Sequence, residues 1–315
     1  MRRAISLLLL SFFIISPIWG QQLPQYTQYV FNNFGVNPAV AGNKECITGR
    51  IAFRSQWVGF DGAPQTLHAN AHTRISRDVK GPNVGFHGVG GKAIADATGP
   101  LSRTMVYGAY AYHLPLFRGI TASLGIYAGI QQVRLDVNEV TLTNGNDPVV
   151  NESRSALVYP DVSPGIWVYT DKVFAGLTIA QLANNSLSGL GEGSKLVPHY
   201  MLTGGKKFLF GSDDEFAFIP STMIKFSPMT SPSIDLNFLM EYRGQFAAGL
   251  SYRNIDAVAA MIRFDLLKYF FLGYSFDLTT SKIRVNSANT HEVTLGFKAC
   301  PGKSAPINTT CPAYY

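Results

Sequence analysis

The stretch "ITASLGIYAGIQQ", residues 120–132, alternates large apolar side chains with small or polar ones. A period of two is the pattern of a β-strand whose two faces meet different surroundings. The apolar face carries Ala122, Leu124, Ile126, Ala128 and Ile130, and the other face carries Thr121, Ser123, Gly125, Tyr127, Gly129 and Gln131. The length exceeds the roughly 9–11 residues that a strand needs to cross a bilayer. The stretch therefore predicts a membrane-crossing strand with a polar or tightly filled interior behind it.

The same alternation recurs along the chain, clearly in "SIDLNFLMEY" (233–242), "FLGYSFDLTT" (271–280) and "EVTLGFKA" (292–299). It is least regular in the glycine-rich "NVGFHGVGGKA" (83–93). Fourteen strands are predicted in all, an even number, as bacterial single-chain barrels require. They are 47–58, 65–76, 83–93, 102–113, 119–134, 157–170, 172–182, 200–209, 215–226, 233–243, 245–253, 257–265, 268–279 and 290–299.

The first twenty residues, "MRRAISLLLLSFFIISPIWG", begin with two arginines, continue as a short apolar run and end in a small residue. This order is typical of a secretory signal peptide, here cleaved near Gly20. The remaining chain divides into an N-terminal periplasmic segment (21–46), a transmembrane β-barrel (47–299) and a periplasmic C-terminal tail (300–315). We expect the segment around Gln28–Gly42 to be ordered and tucked into or across the periplasmic mouth of the barrel.

Composition narrows the class of protein. Charged residues make up 15% of the chain, below the about 25% of soluble domains. No later segment reaches the roughly 18 apolar residues of a membrane helix. The formal charge of +6 falls to +4 once Arg2 and Arg3 are removed with the signal peptide, which is too mild to indicate nucleic-acid binding. An exported β-rich chain of this kind is either a secreted β-sandwich or an outer-membrane barrel.

Loop lengths favour the barrel. If the N-terminus lies in the periplasm and the linkers between strands are numbered in chain order, the even-numbered linkers face the periplasm. These linkers are mostly short. The longest linkers, 136–156, 183–199 and 280–290, then all face outside. Outer-membrane barrels show this asymmetry, and a sandwich has no reason to sort its loops. The sequence thus predicts an all-β, antiparallel outer-membrane barrel that crosses the membrane many times, with both termini in the periplasm.

The stretch "RSQWVGFDGAPQTLHANAHT" (54–73) is interpreted as the first hairpin. Trp57 and Phe60 are expected at the membrane interface, where amphipathic aromatic side chains collect. Gly62 and Pro64 are expected to turn the chain. The descending strand then directs Thr66, His68, Asn70 and His72 to the lumen and Leu67, Ala69 and Ala71 to lipid.

Catalytic and metal-site patterns are weak. His68 and His72 are four residues apart in a strand, about 13 Å, so they are not expected to share a metal ion. The glycine-rich "GFHGVGGKA" (85–93) lacks the glycine and the Ser or Thr of a phosphate-binding loop. There is no G-x-S-x-G nucleophile motif. The sequence therefore predicts no enzyme, no catalytic residues and no cofactor.

The three cysteines are Cys46, Cys300 and Cys311, and an exported chain can form disulfides. Two pairings remain open. Cys300–Cys311 would close a small loop in the tail and is slightly preferred because the closure is local. Cys46–Cys300 would join the two ends of the barrel at its seam.

Three segments carry a resemblance to a known family: "QYTQYVFNNFGVNPAVAG" (25–42), "FRSQWVGFDGAPQTLHANAHT" (53–73) and "GVGGKAIADATGPLSRTMVYGAYAYHLPL" (88–116). Together they resemble the PorP/SprF family of type IX secretion system membrane proteins. The residues that match the family motif, taken as interaction candidates, are Gln28, Tyr29, Phe31, Asn32, Asn37, Pro38, Gly42, Gln56, Trp57, Val58, Gly59, Phe60, Asp61, Gly62 and Pro64. Asn33 and Val40 depart from it, at positions where Pro and an aromatic residue are usual.

The resemblance implies a role in protein export across the outer membrane of gliding or pathogenic Bacteroidetes-type bacteria. The implied partners are secreted cargo proteins with C-terminal sorting domains, the periplasmic ring and motor components of the secretion system, and outer-membrane lipid. The implied action is binding or tethering. The polar lumen residues Asp235, Asn237, Glu241 and Asp277 keep open the alternative of a diffusion channel for small solutes. The third hypothesis is a secreted, soluble β-protein.

Overall fold

The computed structural model describes residues 23–75, 84–117, 119–136, 156–187, 194–228, 230–254, 256–266, 269–286 and 289–300. The signal peptide predicted for residues 1–20 and most of the predicted tail, with Cys311, lie outside the described residues. Among the residues that are described, no helix is both long and apolar enough to span a bilayer.

Antiparallel strands make up one closed sheet. The strands are β1 Ile47–Ser55, β2 Gln65–Arg74, β3 Phe86–Thr98, β4 Leu101–Pro115, β5 Thr121–Leu135, β6 Leu157–Tyr169, β7 Val173–Ala180, β8 His199–Lys206, β9 Phe208–Phe210, β10 Phe216–Ser227, β11 Thr230–Tyr242, β12 Phe246–Arg253, β13 Ala257–Leu266, β14 Phe270–Thr279 and β15 Thr290–Ala299. Apart from β8 and β9, which do not pair with each other, each strand pairs with its sequence neighbours, and β15 pairs with β1, which closes the barrel. Because β8 and β9 both pair with β10 and are separated by Lys207 alone, they form one interrupted wall strand.

The wall therefore has fourteen strands, and the predicted outer-membrane barrel fold is confirmed. The largest error in strand bounds concerns the predicted strand 83–93, because β3 runs on to Thr98. Its glycines hide the alternation that marks the other strands.

The two faces of the wall differ as the alternation predicts. Leu67 and Ala71 of β2 point outward and are exposed, whereas His68, Asn70 and His72 point inward and are buried. Large apolar side chains cover the outer face all around the barrel, with Leu124, Ile130 and Leu250 more than half exposed. Such a surface suits lipid rather than water.

The barrel has two different ends. At one end, called here the disulfide rim, lie Cys46 and Cys300 and mostly short linkers, such as 170–172 and 243–245. The other end, called here the long-loop rim, carries the linkers 56–64, 136–156, 181–198 and 280–289. The predicted sorting of loop lengths is thus present.

Aromatic side chains gather on the outer face near the disulfide rim. The ring centroids of Phe210 and Phe216 are 5.5 Å apart, those of Phe216 and Tyr242 are 4.9 Å apart, and those of Phe246 and Phe264 are 5.0 Å apart. Aromatic girdles of this kind mark the level of a membrane–water interface.

A disulfide joins Cys46 to Cys300. The preferred pairing Cys300–Cys311 is therefore wrong, and the seam alternative is confirmed. The physical reason is the closure of the barrel. Ile47 pairs with Ala299 at the ends of β1 and β15. Cys46 directly precedes Ile47 and Cys300 directly follows Ala299, so this pairing brings the two cysteines together although they are 254 residues apart in sequence.

We expect Cys46→Ser to destabilise the barrel strongly, whereas Cys311→Ser should leave its stability unchanged. The disulfide closes a loop of more than two hundred residues, which in the chain-entropy picture is worth about 5 kcal/mol. The measurement is the urea midpoint of unfolding in lipid vesicles. Equal midpoints for the two variants would show that the seam disulfide does not stabilise the fold.

Candidate functional site: an internal plug

Residues 23–46, called here the plug, lie inside the barrel except at their C-terminal end, where the Glu45 side chain is 73% exposed at the disulfide rim. The plug consists of the 3-10 turn Gln28–Phe31, the short helix Asn33–Val36 and the 3-10 turn Pro38–Val40. Tyr29, Phe31, Phe34 and Ala39 are at most 3% exposed. The sequence predicts an ordered segment in or across the barrel mouth, and the structure shows an ordered segment that goes deeper, into the lumen.

Asparagines set the local shape of the plug. The Asn32 side chain accepts a hydrogen bond from the Gly35 amide at 3.2 Å, and the Asn37 side chain accepts one from the Ala39 amide at 2.9 Å. Side chains of this type cap the ends of short helices. Pro38 occupies the first position of its turn, where a missing N–H does no harm.

The C-terminal half of the plug, residues 37–41, is hydrogen-bonded to the barrel wall. His113 Nε2 lies 2.7 Å from the Ala41 carbonyl oxygen, and the Ser123 hydroxyl donates to the Ala39 carbonyl oxygen at 2.7 Å. The Asn37 amide nitrogen donates to the Ile166 carbonyl oxygen at 3.0 Å. The first two bonds satisfy carbonyl groups of the plug backbone, and the third satisfies a side-chain donor of the plug, all of which would otherwise be buried without partners.

Inward-facing glycines give the plug its space. A Cβ atom added at any of five wall positions would overlap a plug residue. The pairs are Gly88 with Ala41, Gly90 with Phe34, Gly125 with Ala39, Gly165 with Asn37, and Gly273 with Gln28. In β3, Gly88 thus leaves room for the plug backbone at Ala41 and Gly90 for the Phe34 ring, whereas a Cβ at Gly91 would meet only the Tyr107 carbonyl oxygen.

We expect Gly88→Val to displace the plug, because the new side chain would occupy the position of the Ala41 carbonyl group. Overpacking costs about 1–3 kcal/mol, so chymotrypsin cleavage within the plug should be about fivefold faster or more when cleavage follows the opened population. Gly108→Val is the matched control, because a Cβ there meets only the Ala128 carbonyl oxygen at 3.9 Å. Equal cleavage of the two variants would contradict the packing described here.

The N-terminal half of the plug is bonded through Thr27 to buried charged side chains of the wall. The Thr27 amide donates to Glu292 Oε2 at 2.8 Å, and the Thr27 hydroxyl donates to Asp277 Oδ2 at 2.6 Å. Arg54 lies 2.8 Å from Asp277 and 3.1 Å from Glu292, and its Nη1 also donates to the Thr27 hydroxyl at 2.8 Å. Each of these three charged side chains is at most 2% exposed. Thr27 therefore completes a buried ion cluster.

The ion cluster continues along the inner wall. Arg253 lies 3.2 Å from Asp235 and 2.9 Å from Asp256, and Lys225 lies 3.0 Å from Asp235. Negative and positive charges thus alternate from Glu292 of β15 through β1, β14, β12 and β11 to Lys225 of β10. Buried charges arranged in this way are compensated by their neighbours rather than by water.

The histidines of the first hairpin contact the plug. The Tyr26 and His68 ring centroids are 4.3 Å apart, and His72 Nδ1 accepts a hydrogen bond from the Gly42 amide at 3.1 Å. Burial raises the pKa of the Tyr26 phenol well above its usual value, so the phenol beside His68 stays neutral at alkaline pH as well. In the described part of the chain, no group of three or more His, Cys, Asp or Glu side chains is placed to hold a metal ion.

The motif residues predicted from the sequence fall in two places. Gln28, Tyr29, Phe31, Asn32, Asn37, Pro38 and Gly42 belong to the plug, and the block Gln56–Pro64 forms the β1–β2 loop at the long-loop rim. The structure does not bring the two groups into one site. In the loop, Val58 and Phe60 are exposed, and Gly62 has the expected positive φ of 70°.

The ion cluster contains residues that the sequence interpretation missed. The alternation places the carboxylates of Asp235, Asp277 and Glu292 on the lumen face, but the sequence interpretation did not identify their partners Arg54 and Arg253. The signal was present in the alternation, because Arg54 has the same parity as the buried Ala52 of β1. A charged residue on the inner face of a strand needs a partner inside the barrel.

A cavity of about 180 Å³ lies on the long-loop side of the plug. Its walls include Leu23, Pro24, Gln25 and Tyr26 of the plug. Gln181, His199 and Thr230, at the long-loop ends of their strands, also line it. The first described residue of the chain thus lies inside the lumen, on the opposite side of the plug from Cys300.

The sequence model of one protein family, described as "Type IX secretion system membrane protein PorP/SprF", matches residues 18–297. No curated protein sequence matches the chain. Several solved structures share its fold, among them the toluene transporter TbuX of Ralstonia pickettii, with 10% identity, coverage of 90% of this chain and 96% of that chain, and a TM-score of 0.50.

Two further solved structures are more distant. The outer membrane protein Omp33 of Acinetobacter baumannii has 8% identity, coverage of 82% of this chain and 99% of that chain, and a TM-score of 0.44. Outer membrane phospholipase A of Escherichia coli has 10% identity, coverage of 81% and 96%, and a TM-score of 0.37. At such identities the similarity to TbuX supports the barrel fold alone.

Proposed function

Because the chain belongs to the PorP/SprF family of type IX secretion system membrane proteins, we propose that it acts in that system by binding and tethering, without catalysis. The observation that carries the proposal is the plug. Its buried side chains and its bonds to the wall occupy the lumen, so the barrel is not the route of a folded cargo domain. The two rims then remain for recognition.

We assign the disulfide rim to the periplasm and the long-loop rim to the cell exterior. The assignment is supported by the lengths of the linkers, since outer-membrane barrels have short periplasmic turns and longer external loops. The periplasmic ring and motor components would then contact the disulfide rim. Secreted cargo with a C-terminal sorting domain would contact the long-loop rim.

The β1–β2 loop is the proposed cargo contact. Val58 and Phe60 are exposed there although they are apolar, and the backbone of the loop is fixed by bonds from the Val58 amide to the Asn289 carbonyl oxygen at 2.9 Å and from the Trp57 amide to Thr290 Oγ1 at 3.0 Å. Exposed apolar side chains on a well-held loop are typical of a binding surface.

The test is cargo export in a strain that lacks this chain and is complemented with variants. The double variant Val58→Ser and Phe60→Ser should lower the surface and medium levels of sorting-domain cargo severalfold. Val285→Ser, which alters an 82% exposed side chain of the β14–β15 loop, is the matched control. Barrel amounts are compared by heat-modifiable gel mobility. Unchanged cargo levels in the strain that lacks the chain would refute the proposal.

The alternative function is a diffusion channel for small solutes. The cavity beside the plug and the charged inner wall favour it. The two functions differ in the conductance expected of the intact chain in planar bilayers. A steady large conductance would support the channel, and the absence of such a conductance would support tethering.

A further inference from the structure

The wall of the barrel is low where β6 meets β7. In the described part of the chain, β6 pairs with β5 over its whole length, Leu157–Tyr169, but with β7 only over Gly165–Tyr169. β7 has eight residues, which is about 26 Å along the strand and about 20 Å along the barrel axis at the usual tilt, less than the apolar band of about 25 Å. The part of the wall beside residues 157–164 is called here the low wall.

Prolines occupy the edge of β6 at the low wall. The Val162 carbonyl oxygen accepts a hydrogen bond from the Leu182 amide at 3.1 Å, and the Pro160 carbonyl oxygen accepts one from the Asn185 side chain at 2.7 Å. The even-numbered residues of β6 therefore direct their backbone groups to the β7 side. Pro164 has the same parity as Pro160, and neither has an N–H group. This edge can thus lie in lipid with fewer unsatisfied donors, as expected for prolines at strand edges.

The segment that follows β7 leaves the wall. Gln181 has a positive φ of 58°, which is uncommon for a residue other than glycine. Leu187 and Leu196 then pack in one buried cluster with Val133 and Tyr159, whose side chains point into the lumen. The chain therefore folds over the inner face of β5 and β6 instead of extending the wall beside β6.

The cavity beside the plug lies behind the low wall. Ser163 of β6 and Ala180 of β7 line it where their pairing ends, and Met201 of β8 and Ser231 of β11 line it at the long-loop ends of their strands. Its volume of about 180 Å³ is slightly larger than the roughly 150 Å³ of an apolar cavity that binds benzene. The cavity thus has room for the end of a hydrocarbon chain.

The charged groups of the cavity wall are engaged by other protein groups. Lys225 lies 3.0 Å from Asp235. Lys92 donates to a plug carbonyl oxygen at 3.3 Å and interacts electrostatically with Asp161, which in turn accepts a hydrogen bond from the Tyr107 hydroxyl at 2.8 Å. These charges compensate one another within the wall, so the apolar side chains of the cavity remain for a ligand. They include Val36, Ile94, Met105, Met201, Met223 and Phe226.

Lipid-facing side chains flank the low wall on its outer side. Val158 is 61% exposed, and Leu182 and Leu202 are each 47% exposed. The lipid-facing surface of the barrel thus continues up to the edge behind which the cavity lies. Acyl chains are the apolar groups that a membrane presents at such a surface.

We propose that an acyl chain of a membrane lipid enters the barrel over the low wall and lies in the cavity beside the plug. The lipid would belong to the leaflet at the long-loop rim. The driving force is the removal of water from the apolar side chains of the cavity. This lipid site goes beyond the tethering function and does not depend on it.

The test is photo-cross-linking of the full mature chain in nanodiscs that contain a phosphatidylcholine with a diazirine at the end of one acyl chain. Mass spectrometry should find the label on Met105, Met201 or Met223, which line the cavity. Label on outward-facing residues alone, such as Val158 and Leu202, would overturn the proposal. So would labelling of the cavity by a diazirine fatty acid added from water but not by the phospholipid.

Ala180→Phe should lower the labelling of the cavity residues severalfold, because the new ring would fill the space behind the low wall. Ala175→Phe changes an exposed, outward-facing residue of the same strand and is the matched control, which should keep the labelling. Ser231→Phe, at an exposed position of the cavity wall, is the blocking variant to use if Ala180→Phe does not fold. Folding is checked by heat-modifiable mobility.

Two results with these proteins would contradict the lipid site. The first is an intact chain whose cavity residues take up no label, as expected if residues 21 and 22 of the chain fill the cavity instead. The second is a folded blocking variant that is labelled as strongly as the intact chain. Neither readout depends on cargo export, so the tethering function can fail or hold independently.

Discussion

Deletion of residues 23–42 is expected to convert a closed barrel into a conducting one. The deletion removes the side chains that fill the lumen and keeps Cys46 for the seam disulfide. Fourteen strands form a wall between the small eight-stranded barrels that side chains can fill and the 16–18-stranded porins that hold an aqueous channel. The charged inner wall would then be hydrated, and conductance in planar bilayers should rise about tenfold or more over that of the intact chain.

The control for this deletion is the intact mature chain, purified and inserted in the same way. Both proteins must show heat-modifiable mobility and the Cys46–Cys300 disulfide, so that a misfolded barrel is not counted as an open one. Equal conductance of two folded proteins would mean that the plug does not close the lumen.

Arg54→Met should destabilise the protein by about 3–5 kcal/mol, the usual effect of removing one partner from a buried ion pair. Asp277 and Glu292 would keep buried negative charges after the loss of the guanidinium group that lies 2.8 and 3.1 Å from them. The Thr27 hydroxyl would also lose a donor. The measurement is the free energy of unfolding by urea in lipid vesicles.

Two variants make this result specific. Combining Arg54→Met with Glu292→Gln should recover part of the stability, because one of the uncompensated charges is removed as well. Arg243→Met breaks the exposed ion pair between Arg243 and Glu215 and should lower the stability far less than Arg54→Met, because water and salt screen an exposed pair. Similar losses for Arg54→Met and Arg243→Met would contradict a buried ion cluster.

The wall of the barrel was predictable because lipid imposes a simple pattern. In β11, Ile234, Leu236 and Phe238 must face lipid, and the alternate residues Asp235 and Asn237 must face inward. Each such strand can be predicted from its own sequence, without knowing which strands it pairs with. The number of strands and the sorting of loop lengths follow from the same alternation.

The plug was less predictable because its structure depends on contacts far apart in sequence. Thr27 bonds to Asp277 and Glu292, and Ala39 bonds to Ser123. No local periodicity shows where such a segment lies. The preferred disulfide failed for a related reason, since sequence distance favoured Cys300–Cys311 and barrel closure favours Cys46–Cys300.

The location of the plug is tested most directly by hydrogen–deuterium exchange of the full mature chain in lipid. The amides of Thr27 and Gln28 donate to Glu292, and those of Ala39 and Ala41 are bonded within the plug. Peptides from residues 27–41 should therefore exchange as slowly as peptides from β4 and β5. Exchange of this segment within seconds, beside protected strands, would show that the lumen is not filled by the plug.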